Sequence, residues 1–416
     1  MARQKRRQSP GDGSGFFYGY LIVAAAMLIM TVIWAVFYAF GVFFKPVLTE
    51  FGWTRAMTSG AFSLSALVHG LLGFVIGGLT DKFGPRLVIT FCGLLLGCGY
   101  FLMSQISAVW QFYLFYGVII GAGMGGSFIP FMTTVVRWFS KRRGAMSGIV
   151  AAGTGIGALI GPPVASRLIV TYGWRISYAL MGCVVLAVTV IAAQLLKRDP
   201  AQVGQVIDGG NQGEQRGLYS GDEGVSLREA VYTGKFWAFF TTGFCLGYCV
   251  FAIMVHIAPH ATEVGMTTTR AANILATIGG MCIVGKLVMG RVADRIGSRL
   301  TLMIGFILIS WALFWMVPTK MAWILYVIAV IFGLGYGACA VSQSPLLADL
   351  FGLRFHGSIF GTFSISINSG AAISPLLTGY IFDVTGSYRL AFLICACIGF
   401  AGIISTAALK QKRVDV

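Results

Sequence analysis

Two stretches of the chain decide its fold: Gly77-Gly78-Leu79-Thr80-Asp81-Lys82-Phe83-Gly84-Pro85-Arg86 and, later, Gly290-Arg291-Val292-Ala293-Asp294-Arg295-Ile296-Gly297-Ser298-Arg299. The glycines, aspartate and final arginine that they share lie 213 residues apart. Other residues recur at the same offset: Gly144, Gly157 and Pro162 as Gly357, Gly370 and Pro375. Trp174-Arg175 is echoed by Tyr388-Arg389, one residue out of step. Duplication over so long a period in an apolar chain predicts two membrane bundles that face each other, as in transporters.

The composition is that of a membrane protein. The chain is 57% hydrophobic and 11% charged, with a mean hydropathy of +0.83, whereas soluble chains carry about 25% charged residues. Apolar runs long enough to cross a hydrocarbon core of about 30 Å occur at 17–44, 56–80, 87–106, 110–137, 144–171, 175–197, 236–260, 270–293, 300–318, 322–348, 357–382 and 388–409. We therefore expect an all-α membrane protein of twelve transmembrane helices in two pseudo-symmetric six-helix bundles.

The net charge of +16 is distributed unevenly along the chain. Twenty-two of the 30 lysines and arginines fall in the two tails and the even-numbered loops, and seven in the odd-numbered loops. This asymmetry predicts that both termini are cytoplasmic. The positive charge then reflects topology and contact with anionic lipid headgroups, and we expect no nucleic-acid partner.

These patterns divide the chain into five regions: a cytoplasmic tail (1–16), a first six-helix bundle (17–198), a cytoplasmic linker (199–235), a second six-helix bundle (236–409) and a cytoplasmic tail (410–416). The linker is rich in glycine and glutamine, which indicates flexibility. Its last part has Ser226 followed three residues later by Glu229, a capping pattern that predicts a short surface helix. The nine cysteines all fall in apolar segments, where we interpret them as packing residues.

The loop that contains Asp81, between spans 2 and 3, resembles the signature loop of the major facilitator superfamily, and the Asp294 loop is its second copy. An aspartate at a helix end can hold a basic partner or the N-terminus of a facing helix. The resemblance implies that these loops stabilise the conformation closed to the cytoplasm. Its gating residues would be Asp81, Arg86, Arg137, Asp294 and Arg299, with Arg137 as the partner of Asp81.

Further segments are similar to those of the monocarboxylate porter family within that superfamily. They are Phe16-Phe17-Tyr18-Gly19-Tyr20, Val42-Phe43-Phe44-Lys45-Pro46, Phe51-Gly52-Trp53, Arg137-Trp138-Phe139, Lys141-Arg142-Arg143-Gly144-Ala145 and Phe236-Trp237. The resemblance covers nearly the whole chain outside the tails and linker. It implies a transporter of small carboxylates, without naming the substrate.

One residue stands out when the charged positions are compared with the spans. All fourteen acidic residues lie in tails, loops or span ends, but Lys286 lies within span 8, eight residues before Asp294. An ionisable residue inside a membrane is costly and is a candidate functional residue. The sequence offers it no buried carboxylate, so an anionic substrate is the simplest compensating charge. The alternative is that Lys286 extends its ammonium to the cytoplasmic headgroups.

The monocarboxylate porter family has an arginine at what we take to be the position of Lys286, and a polar or acidic residue four places earlier. Lysine and Cys282 replace them here. A lysine cannot reproduce the bidentate grip of an arginine on a carboxylate, and Cys282 cannot replace an acidic proton site. Protons would then need other groups, and the intramembrane candidates are His69, His256 and Lys286. Each histidine could instead be neutral and packed.

Polar residues also interrupt the apolar spans: Tyr38, Thr154, Tyr336, Ser342, Gln343, Ser364 and Asn368. Individually, such residues form hydrogen bonds between helices; as a group they favour a polar cavity. From the expected neighbours of span 8 we predict a substrate site composed of Lys286, Tyr336, Ser364, Asn368, Cys282 and Tyr38. The spacing of His256 and His260 fits a metal, but Pro259 and the helix end argue against one, so we expect neither metal nor cofactor.

The function that we favour is secondary transport of small monocarboxylates such as lactate or pyruvate, by proton symport through alternating access. The alternative within transport is exchange of organic anions, as in oxalate–formate porters, which would require a second cation where span 11 has Phe363 and Ser364. The spans contain no nucleophile triad, metal set or phosphate-binding loop, so we do not expect an enzyme or a sensor. The expected partners are a small carboxylate, protons and membrane lipids. We expect a monomer in a cell inner membrane.

Overall fold

The computed structural model describes residues 17–139, 142–205, 225–319, 321–352 and 356–409. Within these ranges, eleven helices are long and apolar enough to cross a membrane. One of them, Arg143–Ala193, has 51 residues, a length of about 75 Å at 1.5 Å per residue, more than twice the hydrocarbon core. Its backbone leaves the helical conformation at Gly173. This helix is therefore two spans, and the predicted twelve are confirmed.

The spans have these bounds: span 1 Tyr18–Phe51, span 2 Arg55–Phe83, span 3 Pro85–Met103, span 4 Val109–Trp138, spans 5 and 6 Arg143–Ala193, span 7 Gly234–Glu263, span 8 Thr268–Ile296, span 9 Ser298–Met316, span 10 Ala322–Phe351, span 11 His356–Thr385 and span 12 Arg389–Ala408. Span 1 comprises helices Tyr18–Tyr38 and Phe40–Phe51, and span 4 contains a π-helical segment, Tyr113–Ile120. A short helix, Leu227–Val231, is capped by Ser226, and the turn Pro200–Val203 is 3₁₀. We call the end of the bundle with Phe17 and Leu409 the termini end, and the opposite end the distal end.

The duplication is visible in the backbone as well as in the sequence. Glycines with positive φ end the spans in matched pairs, again 213 residues apart: Gly52 and Gly265, Gly84 and Gly297, Gly173 and Gly386. Glycine adopts this conformation without the steric cost that a side chain would add. Corresponding span ends in the two halves thus have a glycine in the same positive-φ conformation, in agreement with the sequence repeat.

The arginines that end the two signature loops make equivalent contacts inside their own halves. Arg86 donates from Nε to Oε1 of Gln194 at 2.6 Å, which ties the start of span 3 to the end of span 6. In the second half, Arg299 donates from Nε to the carbonyl of Thr406 at 3.2 Å and from Nη2 to the carbonyl of Ala407. Ala407 is the 213-residue counterpart of Gln194. Arg86 and Arg299, two of the three predicted gating arginines, therefore each join spans of their own half.

Glycine also allows the central spans to approach each other at backbone distance. A Cβ atom added to Gly157 of span 5 would lie 2.7 Å from the nitrogen of Ala35 in span 1. Gly279 of span 8 is equally close to span 5, where an added Cβ would lie 2.7 Å from the carbonyl carbon of Ala158. Small residues are the usual means of close helix packing in lipid. They bring spans 1, 5 and 8 together around the middle of the protein.

We expect Gly157→Ala to lower the melting temperature of the detergent-purified protein, since its methyl group meets the span 1 backbone and overpacking costs about 1–3 kcal/mol. Gly148→Ala is the matched control on the same span, because an added Cβ there meets nothing within 4 Å. That control should melt at the same or a higher temperature, as alanine is the better helix former. Equal melting temperatures for both variants would contradict the packing described here.

Candidate functional site

Lys286 lies half-buried in span 8, ten residues before the end of that helix at Ile296. Its ammonium donates a hydrogen bond to Oγ1 of Thr154 in span 5, at 3.4 Å. The bond directs the amine across the interface between the halves, not toward the end of the bundle as the headgroup alternative requires. Among the described residues, no carboxylate forms an ion pair with Lys286. A cation inside the membrane thus has only a neutral hydroxyl as its partner.

The backbone around Lys286 is fixed by span 10. A Cβ added to Gly337 would lie 2.7 Å from the nitrogen of Lys286 and 2.5 Å from the carbonyl oxygen of Cys282. Cys282 itself is buried and sits one turn from Lys286 on the same helix. Because the helices touch at backbone level, the backbones on either side of this contact have little freedom to shift. The backbone of Lys286 is therefore fixed, and only its side chain can change conformation.

Two predicted site residues meet directly across the halves. The hydroxyl of Tyr38 in span 1 lies 3.4 Å from the hydroxyl of Tyr336 in span 10. Tyr336 precedes Gly337, so this phenol pair is next to the backbone contact that supports Lys286. On span 1, the ring of Tyr38 packs on that of Trp34, with 5.2 Å between the centroids. Together with Lys286 and Thr154, this pair forms a group that we call the polar centre, with the two tyrosines on its distal side.

The remaining residues predicted to bind substrate or protons near Lys286 lie on spans 2 and 11. His69 is half-buried, with its ring 6.4 Å from that of Trp34. Its neighbour Gly70 packs on span 11, where an added Cβ would lie 2.8 Å from the Cβ of Asn368. Asn368 donates from Nδ2 to the carbonyl of Ser364 at 2.9 Å, and Ser364 donates to the carbonyl of Phe360. The Ser364 hydroxyl and one N–H of Asn368 thus donate within their own helix, while the side-chain oxygens of both residues can still accept.

At the distal end the halves are joined through Arg55, at the start of span 2. Its guanidinium donates to Oε1 of Glu263 at 2.7 Å and to the hydroxyl of Tyr388 at 2.6 Å, and it lies 3.8 Å from the centroid of the Phe382 ring. The Arg55 side chain is 11% exposed. One cation from the first half therefore binds three residues of the second.

Asp383 of span 11 adds a second link at the same place. Its carboxylate accepts hydrogen bonds from the backbone nitrogens of Arg55 and Ala56, at 2.9 and 2.7 Å. The first N–H groups of a helix have no partners within it, and a carboxylate there also interacts favourably with the helix dipole. An acid of one half thus caps a helix of the other half.

His256 belongs to this distal closure and not to the surroundings of Lys286. Its Nε2 lies 2.8 Å from the carbonyl oxygen of Pro375, and its Nδ1 lies 3.2 Å from the hydroxyl of Tyr388. A carbonyl only accepts, so Nε2 carries the proton and, in the neutral ring, Nδ1 accepts from Tyr388. Arg55 then donates to the oxygen of Tyr388. Each hydrogen bond in the series from Arg55 through Tyr388 to His256 thus joins one donor to one acceptor.

The predicted pair of Asp81 and Arg137 at the termini end is only partly described. Arg137 lies 3.5 Å from Oδ1 of Asp199, which follows span 6 in the same half. The side chain of Asp81 lies outside the described residues, so its predicted pairing with Arg137 stays a prediction. Asp294 is exposed, and no hydrogen bond or ion pair connects it to the described residues.

Two cavities lie away from Lys286. One, of about 410 Å³, opens at the distal end between spans 1, 7 and 8, with Lys45, Glu50 and Thr262 in its wall. The other is an apolar groove of about 740 Å³ along the seam of spans 2 and 11. Their positions mark the two seams along which the halves meet.

Several of these residues were not predicted from the sequence as functional residues. In the sequence, the residues of the distal closure are only charges at span ends or part of the repeat. They are Arg55, Glu263, Asp383 and Tyr388. A signal was present, because Glu263 lies 213 residues after Glu50, which binds Arg175 within the first half. Thr154 was recognised as a polar residue in a span but not as the partner of Lys286.

Two six-helix halves with a polar centre at their interface, closed at one end, define a membrane transporter rather than an enzyme. The sequence matches the Major Facilitator Superfamily over residues 23–343 and 261–414. The chain belongs to this superfamily. The resemblance inferred from the two signature loops is thereby confirmed.

Three known proteins show the range of similarity. Monocarboxylate transporter 13 of Rattus norvegicus is 26% identical over 398 residues, which is 95% of this chain and 89% of the relative. The oxalate:formate antiporter of Oxalobacter formigenes is 27% identical over 404 residues, 93% of this chain and 90% of the relative. The crystal structure of a bacterial homologue of the human lysosomal transporter Spinster superposes with a TM-score of 0.71 at 15% identity, covering 96% of this chain and 95% of that one. That last likeness concerns the fold alone.

We expect Arg55→Leu to shift the protein toward a state open at the distal end, by roughly 10- to 100-fold in population, because hydrogen bonds to charged groups contribute about 1.5–3 kcal/mol. The shift can be measured as the distance between spin-labelled unnatural amino acids at the exposed positions Tyr172 and Leu390. Arg175→Leu is the matched control, since it breaks an Arg–Glu pair of equal length within one half. An unchanged distance distribution in Arg55→Leu would rule out this closure as a determinant of the conformation.

Proposed function

We propose that the protein transports small monocarboxylate anions by alternating access, and that Lys286 attracts the substrate. The observation that carries the proposal is the ammonium of Lys286 at the interface of the halves, bonded to the neutral hydroxyl of Thr154 at 3.4 Å. A buried cation without a counterion is destabilised until an anion joins it. Binding of a carboxylate would neutralise the centre and let the halves move past it.

The names of the relatives support this class of substrate. The similar proteins include monocarboxylate transporters 13 and 2 and an oxalate:formate antiporter, all of which are named for organic anions. A single lysine in the polar centre suits one negative charge. Tyr38 and Tyr336 can add hydrogen bonds, since a hydroxyl both donates and accepts.

Exchange of dianions is the weaker alternative. It would benefit from a second cation in span 11, where the chain has Phe363 and Ser364. Phe363 is buried and stacks on Phe239 at 4.3 Å between centroids, so it faces the interior of its own half. Ser364 brings no charge. These positions favour a monoanion.

For proton coupling, the three candidates differ in their surroundings. His256 has both ring nitrogens engaged, by Pro375 and Tyr388. His69 is half-buried near Trp34, and neither of its nitrogens is bonded within the described part of the chain. A proton can add to His69 without breaking a bond, whereas adding one to His256 displaces the Tyr388 hydrogen. We therefore favour His69 over His256, with Lys286 as the third candidate.

The orientation follows from the positive charges of the tails and loops. We propose that the termini end faces the cytoplasm, that the distal end faces outward, and that the protein acts as a monomer in an inner membrane. The contacts through Arg55 would then close the outer side of the transporter.

Lys286→Met should reduce carboxylate binding at least ~30-fold while the protein still folds, because removing one member of a buried charge pair costs about 2 kcal/mol or more. Binding is measured as a thermal shift across a panel of carboxylates, and transport as uptake of labelled pyruvate into liposomes. Lys45→Met is the matched control, since Lys45 is exposed at the distal end of span 1. Lys286→Arg should restore part of the activity. Undiminished uptake by Lys286→Met would refute the proposed role.

Acidifying the outer side of liposomes should increase accumulation of the acid about tenfold per pH unit if one proton accompanies each anion, since one unit corresponds to 1.36 kcal/mol. His69→Gln should abolish this acid stimulation. The same variant should retain counterflow exchange of labelled for unlabelled acid, which needs no net proton movement. Acid stimulation that survives in His69→Gln would assign the proton to another group.

A further inference from the structure

Trp34 of span 1 has a hydrogen-bond donor that the fold does not use. The side chain is 8% exposed, and its indole Nε1 is buried without a hydrogen-bond partner among the described residues. A buried donor left unpaired costs about 1–3 kcal/mol. Neighbouring rings surround the indole, those of Phe37, Tyr38 and His69 at 5.5, 5.2 and 6.4 Å between centroids.

The indole lies at the depth of the polar centre. Span 5 crosses span 1 at Trp34, where a Cβ added to Gly157 would lie 3.0 Å from the carbonyl carbon of Trp34. Thr154, which binds the Lys286 ammonium, is one turn from Gly157 toward the termini end. Side chains on a helix lean toward its N-terminus, which directs the Trp34 indole toward the level of Thr154.

Lys286 approaches the same level from the opposite direction. Spans 1 and 8 run antiparallel, so the lean that carries Trp34 toward the termini end carries Lys286 toward the distal end. The two residues belong to different halves, and the hydrogen-bonded pair Tyr38–Tyr336 lies beside both. One half thus presents a cation and the other a neutral N–H donor.

We propose that Trp34 is a specificity-determining residue, whose Nε1–H donates to a second oxygen of the substrate while Lys286 holds the carboxylate. The inference rests on the proposed function. Neither an indole nor an ammonium can accept a hydrogen bond, so the pair selects a molecule with acceptors at two places. The substrate accordingly bears an oxygen on the carbon beside the carboxylate, and the unsubstituted acid leaves the indole unpaired.

Propionate, lactate and pyruvate test this selection, since they have the same carbon skeleton and differ only in the substituent on that carbon. The measurement is the concentration for half-maximal uptake of each acid in liposomes. Wild-type protein should prefer lactate or pyruvate over propionate by about tenfold, and Trp34→Phe should reduce this ratio to near one, as a net hydrogen bond contributes about 1 kcal/mol or more. In Trp34→Phe, the half-maximal concentrations for lactate and pyruvate should approach that for propionate.

Because phenylalanine is smaller than tryptophan, a second variant separates the N–H group from the volume. Replacement of Trp34 by 3-benzothienylalanine keeps the shape and puts sulfur in place of the N–H. It should lose the preference as Trp34→Phe does. A preference that persists in the benzothienyl variant, or equal losses for all three acids, overturns the inference.

The outcome for the wild type distinguishes this inference from the proposed function. If none of the three acids is bound or moved, the proposed function fails. If all are moved with the same half-maximal concentration, the proposed function stands and the role of Trp34 is refuted. Rescue of selectivity by a variant that restores a donor at position 34, Trp34→His, would support it further.

Discussion

Close contact between helix backbones is the constraint on which the polar centre depends. Spans 1, 5, 8 and 10 touch through Gly157, Gly279 and Gly337, and each of these contacts would be blocked by a single methyl group. A lysine in a looser bundle could turn to the headgroups or to water. Here its backbone is pinned against span 10, and its reach is limited to the interface between the halves. The helix packing thus holds the ammonium of Lys286 at the interface between the halves.

The two halves share an ancestor in sequence but have diverged in how they use equivalent acids. Glu50 binds Arg175 and Trp174 within the first half, at 2.7 and 2.6 Å. Its counterpart Glu263 binds Arg55 of the opposite half, also at 2.7 Å. The same position stabilises one bundle internally and joins the two bundles externally. The Glu263 contact can therefore break when the halves move apart, while the Glu50 contacts stay within their own bundle.

Much of the fold could be predicted from the sequence, because a span follows from the length of an apolar run and a turn from the glycine at that position. The twelve spans follow from apolar run length, and the positive φ of Gly84 and Gly297 agrees with their place in the repeated loops. The candidate site was harder. Lys286 was found because a charge in an apolar span is conspicuous, but its partner Thr154 is an ordinary residue whose role depends on how two distant spans pack. Arg55 lies at a span end, where charges are common, so composition alone gave no signal.

The distal closure consists of an aromatic layer and an ionic layer, and the order of the two layers affects how the halves separate. Next to the polar centre the halves meet through aromatic rings. The ring centroids of Phe37 and Phe62 lie 6.3 and 5.9 Å from that of Phe251. The ionic contacts of Arg55 lie beyond them, with Glu263 42% exposed. When the halves separate, the Glu263 carboxylate is already near water, whereas the Arg55 guanidinium, 11% exposed, and the phenyl rings must be newly hydrated. Opening of the distal end therefore requires both the loss of the Arg55 contacts and the entry of water into the aromatic layer.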